Sequence, residues 1–181
     1  TPKPSPPVAR LPIARPASRS VRTKGKILQS LETNAPAEVD FVTFFTGGQS
    51  FSIDIHQVRE IRRWTSATPI PNAPAEVLGV MNLRGSVIPI YDLALRFGLE
   101  ATRDSGRNVV IIAAHENRTV GLLVESVSEI CSVQRDRIQD TPIVRSDTTR
   151  QNITGVVLVG DGMTRVIDLG AVIQTSRRIT Q

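Results

Sequence analysis

Residues 76–99 read E-V-L-G-V-M-N-L-R-G-S-V-I-P-I-Y-D-L-A-L-R-F-G-L. An apolar run, Val77 to Met81, meets a polar turn at Asn82-Leu83-Arg84-Gly85-Ser86, and a second apolar run follows through Val87, Ile88, Pro89 and Ile90. Two short apolar runs about a Gly-containing turn predict a β-hairpin. Leu93, Leu95 and Phe97 then follow a short helical pattern, with Asp92 suited to its N-cap and Gly98 to the position just past its end. The stretch reads strand, turn, strand, helix, with one arginine at the turn. Arg84 is either a solvated turn residue or a recognition residue. A guanidinium pairs bidentately with a carboxylate, and a tight hairpin would hold it rigidly.

The flanking chain is made of similar pieces. Upstream, Phe41 to Phe45 is an apolar run, Gly47-Gly48 a two-residue turn, and Phe51, Ile53 and Ile55 alternate with Ser50, Ser52, Asp54 and His56. Val58, Ile61 and Trp64 fit a short helix or a bent strand, and Thr68 to Pro74 is a rigid connector. Ala75 to Leu78 can form one helical turn. Downstream, Val109–Ala114 and Val120–Val124 flank a turn at His115-Glu116-Asn117-Arg118, and Val127 to Val133 reads as a further strand. Residues 134–150 are polar, with a helical turn at most. Ile153–Val159 and Met163–Ile167 flank Gly160-Asp161-Gly162, and Asp168 caps a last short helix ending at Ile173.

These pieces repeat. Asp54 to Ile61 aligns with Leu123 to Ile130, a shift of 69, and Gly79 to Leu93 aligns without gaps on Gly155 to Leu169, a shift of 76. Two copies of hairpin, strand, hairpin and short helix predict an all-β fold of two five-stranded units. Each closes best as a small barrel, which removes exposed edges. Each unit has a core of a size that is marginal alone, so the barrels should pack together through apolar residues, with a groove between them suited to a peptide. Pro89 cannot donate to a ladder, so its strand should lie at an edge or carry a bulge. The division expected is a first barrel over residues 38–104 and a second over 105–173, followed by a short tail, 174–181.

Residues 1–37 stand apart. They are rich in Pro, Arg, Ser and Ala, and hold seven basic residues against Glu32 alone, leaving 15 of the 22 basic and 16 of the 17 acidic residues for the rest. Such a segment buries too little apolar area to order itself, so a disordered basic tail is expected, in which Lys24 to Leu31 could form a helical turn or two with Ile27, Leu28 and Leu31 on one face. The net charge of +5 therefore belongs to the tail, and the folded part is near neutral. As an electrostatic arm the tail could meet an acidic partner, a membrane surface or a nucleic acid.

Chemistry-bearing constellations are missing from the sequence. His56 is expected on an outward strand position and His115 in a hairpin turn, and neither is spaced with Cys131 or carboxylates as metal ligands are. Cys131, the lone cysteine, sits in the apolar setting E-I-C-S-V and reads as a small buried hydrophobe. There is no phosphate-binding loop of the G-x-x-x-x-G-K-[ST] type and no G-x-S-x-G elbow. No apolar run approaches the ~20 residues that span a bilayer, and aromatic and basic residues are not interleaved as on a nucleic-acid platform. The sequence gives no ground for an enzyme, a cofactor or a metal.

With these motifs in place the chain resembles the CheW family of bacterial chemotaxis coupling proteins. Val58-Arg59-Glu60-Ile61 is similar to the family's V-x-E-I, and Pro69-Ile70-Pro71-Asn72-Ala73-Pro74 to its connector. Gly79 to Leu93 is close to the signature G-V-x-N-L-R-G-x-x-x-P-[IV]-x-D-L, and Val120-Gly121 to Val127 and Ile153-Thr154-Gly155 also match. The resemblance covers roughly residues 38–173 and leaves out the long basic tail.

The resemblance implies two SH3-like barrels and a non-catalytic adaptor of the cytoplasm. It would link the cytoplasmic tip of a chemoreceptor to the regulatory domain of the histidine kinase CheA, in arrays on the inner face of the membrane, without inserting into it and without binding nucleic acid. By position, Val58, Glu60, Arg84 and Gly85 match residues implicated in receptor and kinase coupling, and Gly79, Gly121 and Gly155 match the family's glycines, read as structural. An Arg84–Glu60 pair is expected, since both motifs should lie in one barrel. A kinase domain of the same fold could pack end to end with this one. The alternative contexts are a CheW-like domain of a larger chain, of the CheV type or an array-anchoring protein, and a basic-tailed membrane or nucleic-acid binder.

Overall fold

The computed structural model describes residues 37–140 and 151–174. Eleven strands are joined largely by tight turns: β1 (Glu38–Thr46), β2 (Gln49–Asp54), β3 (Val58–Arg63), β4 (Val77–Leu83), β5 (Ser86–Asp92), β6 (Val109–His115), β7 (Arg118–Val124), β8 (Ser126–Gln134), β9 (Gln139–Asp140), β10 (Ile153–Val159) and β11 (Gly162–Ile167). Two short helices follow the second hairpin of each repeat, α1 (Leu93–Arg96) and α2 (Leu169–Gln174). The expected tail (1–37) and its helical turn lie outside the described residues except for Ala37, as does the C-terminal tail except for Gln174.

The all-β expectation holds, as two sheets of six and five strands, ordered β8-β1-β2-β11-β10-β9 and β3-β6-β7-β5-β4. The division near residue 104 does not follow the sheets and is corrected. Each repeat gives its first hairpin to one sheet and its third strand and second hairpin to the other. The two sheets then match strand for strand, with β8, β1, β2, β11 and β10 standing where β3, β6, β7, β5 and β4 stand. The register obeys the same shifts of 69 and 76. In the parallel pairs Ile90 lies opposite Gly121 and Val166 opposite Ser52. Bulges fall between Val58 and Glu60 and between Val77 and Gly79, and the latter recurs between Ile153 and Gly155.

Three apolar clusters follow from this exchange. One fills the six-stranded sheet, with Phe41, Val133, Val157 and Val166 drawing β1, β8, β10 and β11 around a common core. A second, Ile88, Ile90, Val110, Ile112 and Leu123 with Trp64 and Leu83 against it, fills the five-stranded sheet. The largest lies between the sheets and joins Phe44, Phe51 and Ile53 of one to Tyr91, Ile111 and Leu122 of the other. Burying a side chain of this size contributes roughly 1.5–3 kcal/mol, so the cluster between the sheets dominates the folding energy. Neither sheet's own core could replace it.

Local expectations fared unevenly. Asp92 caps α1, accepting from the amides of Ala94 (3.0 Å) and Leu95 (3.4 Å), and Gly98 follows at φ +72°. At Ala75-Glu76 a single turn forms, closed by the Val77 amide donating to the Pro74 carbonyl at 2.9 Å, but it does not run on to Leu78, because β4 already begins at Val77, which the sheet claims by pairing it with Tyr91. His56 lies in a single 3-10 turn, Ile55–Gln57, and His115 is the last residue of β6. Pro89 is neither at an edge nor at a bulge, for β5 is an inner strand. Its partner Val80 turns its own amide and carbonyl to Thr68 (both 2.8 Å), so β4 asks nothing of the Pro89 nitrogen, and pairing with β7 begins only at Ile90.

Candidate protein-binding site

The β4–β5 hairpin closes at Leu83 opposite Ser86, leaving Arg84 and Gly85 as a two-residue turn. Both have positive φ, +52° and +89°, as a type I′ turn demands. Such turns match the twist of the flanking strands but favour Asn, Asp or Gly at both positions, because a Cβ in the left-handed region crowds the next carbonyl. Arg84 is therefore held where arginine is disfavoured. The Asn82 side chain helps to lock the turn, its Oδ1 accepting from the Gly85 amide at 2.9 Å.

The Arg84 guanidinium reaches across to β3 and donates to Glu60 Oε2 at 3.0 Å, as expected; its side chain is 85% exposed and that of Glu60 25%. The other oxygen of Glu60 has Arg62 at 3.8 Å. The bulge between Val58 and Glu60 makes Arg59 the extra residue of β3, and Arg59 and Arg63 are exposed with no ion-pair partner among the described residues. Exposed apolar side chains lie on the same two elements, Ile61 on β3 and Val87 on β5.

Of the residues named from the sequence, Glu60, Arg84 and Gly85 come together. A Cβ on Gly85 would meet nothing within 4 Å, so the turn backbone is open to solvent. Val58 packs instead against the cluster between the sheets. The three glycines lie elsewhere in the sheets: a Cβ would come 2.1 Å from the Thr68 carbonyl oxygen at Gly79, 2.4 Å from Ile90 Cδ1 at Gly121, and 2.9 Å from the Gln139 carbonyl oxygen at Gly155. Asn82, Arg62, Ile61 and Val87 were missed. An asparagine two residues before an Arg-Gly turn was the available signal for the first. The strand pattern gives none for the others.

The expected groove between the barrels is occupied by the apolar cluster just described. A depression of about 730 Å³ does lie where the Gly47-Gly48 turn, the loop after α1 and the start of β8 meet, and Glu100, Arg103, Arg107 and Glu125 put charges on its wall. Among the described residues no three His, Cys, Asp or Glu side chains converge as metal ligands would. Cys131 is half-buried against the core of the six-stranded sheet. Burial, then the charge of Glu129, pushes its thiol pKa up, the reverse of what a reactive thiolate needs. No helix among the described residues is long and apolar enough to cross a membrane.

A family model, the CheW-like domain, matches residues 40–177. The chain is 44% identical over 139 residues to the chemotaxis protein CheW of Rhizobium meliloti, covering 77% of this chain and 90% of that one. To the chemotaxis protein CheW of Klebsiella aerogenes it is 32% identical over 130 residues, covering 72% and 78%. The crystal structure of the scaffolding protein TtCheW from Thermoanaerobacter tengcongensis superposes with a TM-score of 0.68 at 30% identity, over 73% of this chain and 90% of that one. The chain, with the exchanged hairpins and the arginine turn described above, belongs to the CheW family of chemotaxis scaffold proteins.

Proposed function

We propose that this chain is a non-catalytic adaptor that couples chemoreceptors to the histidine kinase CheA on the cytoplasmic face of the membrane, and that the surface of β3 and the β4–β5 hairpin makes the decisive contact. One observation carries the reading: an exposed arginine in a left-handed turn position, gripped by Glu60. A left-handed backbone costs a residue with a Cβ roughly 1–2 kcal/mol, whereas an exposed ion pair returns about 0–1 kcal/mol. Folding stability gives Arg84 little reason to stand at this place, which supports a role in recognition. Glu60 takes one N–H and sets the direction of the guanidinium, while the remaining donors face solvent, ready for a carboxylate or carbonyl of the partner. Gly85 lets a partner backbone approach the turn. Each such contact is weak, and repetition across an array supplies the strength.

Calorimetric titration of the full chain with the regulatory domain of the host's CheA, and separately with a receptor's cytoplasmic hairpin, tests this. Saturable binding to both is expected, with Arg84→Ala weakening at least one about tenfold, the size of one charge-assisted contact. A folded wild-type chain that binds neither partner would sink the coupling reading. Unchanged affinity of Arg84→Ala for both would return Arg84 to an ordinary solvated turn.

A further inference from the structure

The sheet holds the run after β3 only at its two ends. Arg62 and Arg63, both exposed, are followed by Trp64, Thr65, Ser66 and Ala67. The Trp64 amide donates to the Asn108 carbonyl at 2.9 Å, and the chain is next held at Thr68, which exchanges both backbone bonds with Val80 at 2.8 Å. Thr65, Ser66 and Ala67 between them belong to no strand or helix, and Thr65 and Ser66 are exposed. With Trp64, Leu78 and Asp104 these two line a depression of about 570 Å³, so open space lies beside their hydroxyls. β3 is an edge strand, paired on one side alone. Among the described residues, Thr65 is the one hydroxyl with arginine at both the second and the third position before it. The repeat does not require this sequence. A shift of 69 leads from Arg62, Arg63 and Thr65 to Cys131, Ser132 and Gln134.

We propose that Thr65 is a phosphorylation site, read by a serine/threonine kinase that selects arginine two and three residues before its acceptor. Such a kinase offers carboxylates to the two guanidiniums. An edge strand that runs into unpaired backbone reaches it without the loss of a second ladder. Thr65 Oγ1 attacks the γ-phosphorus of a nucleoside triphosphate. An O–P bond forms, the bond from that phosphorus to the departing diphosphate breaks, and the hydroxyl proton passes to the kinase's base. Nothing is oxidised, and all the catalysis is the kinase's. The phosphate brings about −1.5 to −2 charges at pH 7. It stands at the end of the strand that carries Arg59, Arg62 and Arg63, on a surface where Arg84 adds a fourth cation and Glu60 is the acid. At least half of the net basic charge there is cancelled. Asp104, on the same depression, repels the phosphate from its own side. Modification therefore weakens the hold of β3 and the β4–β5 hairpin on a partner's carboxylates. That consequence rests on the coupling role proposed above, whereas the site itself does not.

Mass spectrometry of the full chain tests the site. Incubated with ATP, magnesium and the catalytic subunit of the cyclic-AMP-dependent kinase, whose substrates carry this pair of arginines, the chain should gain a phosphoryl group on the tryptic peptide Trp64–Arg84, and fragmentation should place it on Thr65. Thr65→Ala should lose it and Thr65→Ser keep it. Arg62→Ala with Arg63→Ala should slow it at least about tenfold while the hydroxyl stays in place. The same peptide from the chain isolated from its own cells under phosphatase inhibition should carry the group. Its absence there overturns the proposal, as does modification that persists in Thr65→Ala or is indifferent to the two arginines. Calorimetry with the CheA regulatory domain then reads the consequence: the phosphorylated chain should bind about tenfold more weakly than the unmodified one. Equal affinity overturns the switch. An unmodified chain that does not bind strikes the coupling role and the switch with it, while the mass measurement still decides the site.

Discussion

The β4–β5 and β10–β11 hairpins are two solutions to one geometric problem. Each starts with a bulge just before its Gly-Val pair, lies parallel to a strand of the other repeat in the same register, and closes with a two-residue turn. The first turn residue has a similar φ in both, +52° at Arg84 and +56° at Gly160, while the second differs, Gly85 being at +89° and Asp161 not in the left-handed region. The arginine stands where its counterpart is glycine, as Glu116 at φ +53° in the β6–β7 turn stands where Gly47 at φ +56° stands in the β1–β2 turn. The same comparison extends to β3 and β8, where Arg59, Arg62 and Arg63 stand against Ser128, Cys131 and Ser132. One barrel is basic at these positions, and the other is not.

The largest effects should come from the paired glycines that begin the two hairpins. A Cβ at Gly79 would lie 2.1 Å from a backbone carbonyl, at a φ of +141° that L-residues rarely adopt. Gly155 has no such φ, and its Cβ would stand 2.9 Å from both the Gln139 oxygen and the Ile138 Cγ2 methyl. Gly79→Ala should cost about 3 kcal/mol or more and Gly155→Ala about 1–2 kcal/mol, as read from urea unfolding. Equal costs would break the claim that the first hairpin is the more tightly constrained of the two.

A second contrast lies behind the hairpins. Arg96, on α1, is buried, pairs with Glu76 at 3.2 Å and donates to the Val172 carbonyl of α2, and its positional counterpart is Val172 itself. Glu76→Ala leaves that guanidinium buried against one carbonyl. It should cost about 2–3 kcal/mol, below the usual price of breaking a fully buried pair because Glu76 is partly exposed. Its counterpart Asn152→Ala removes no charge and should cost less. Thermal midpoints of the two variants, compared with the wild type, check the order.

Much of this was legible in the residues. Period-two alternation and Gly-containing turns located most of the strands, and the shifts of 69 and 76 announced the repeat. The exchange between repeats was not legible. It rests on parallel pairs such as Arg165 with Phe51, whose partners are far apart in the chain and leave no local pattern. Pro89 misled for a related reason: a missing donor matters only where a neighbour asks for it, and that neighbour is chosen by tertiary pairing. At the site, the Gly79–Leu93 and Val58–Ile61 motifs pointed to Arg84 and Glu60. The exposure of Ile61 and Val87 was hidden because a strand's alternation reads alike for a buried and an open face.

The smallest effect in stability is the most telling about Arg84. Arg84→Gly gives the first hairpin the turn residue of the second. It relieves a left-handed Cβ worth roughly 1–2 kcal/mol. Against that it forfeits an exposed ion pair of at most about 1 kcal/mol and adds some freedom to the unfolded chain. The net change should lie within about 1 kcal/mol, a few degrees in thermal midpoint. Arg84→Ala, which keeps the strained Cβ and loses the same ion pair, should be the less stable of the two. Both should lose partner affinity alike, because both remove the guanidinium. If Arg84→Gly instead costs several kcal/mol, the arginine belongs to the scaffold after all, and the difference between the two hairpins is one of folding rather than of contact.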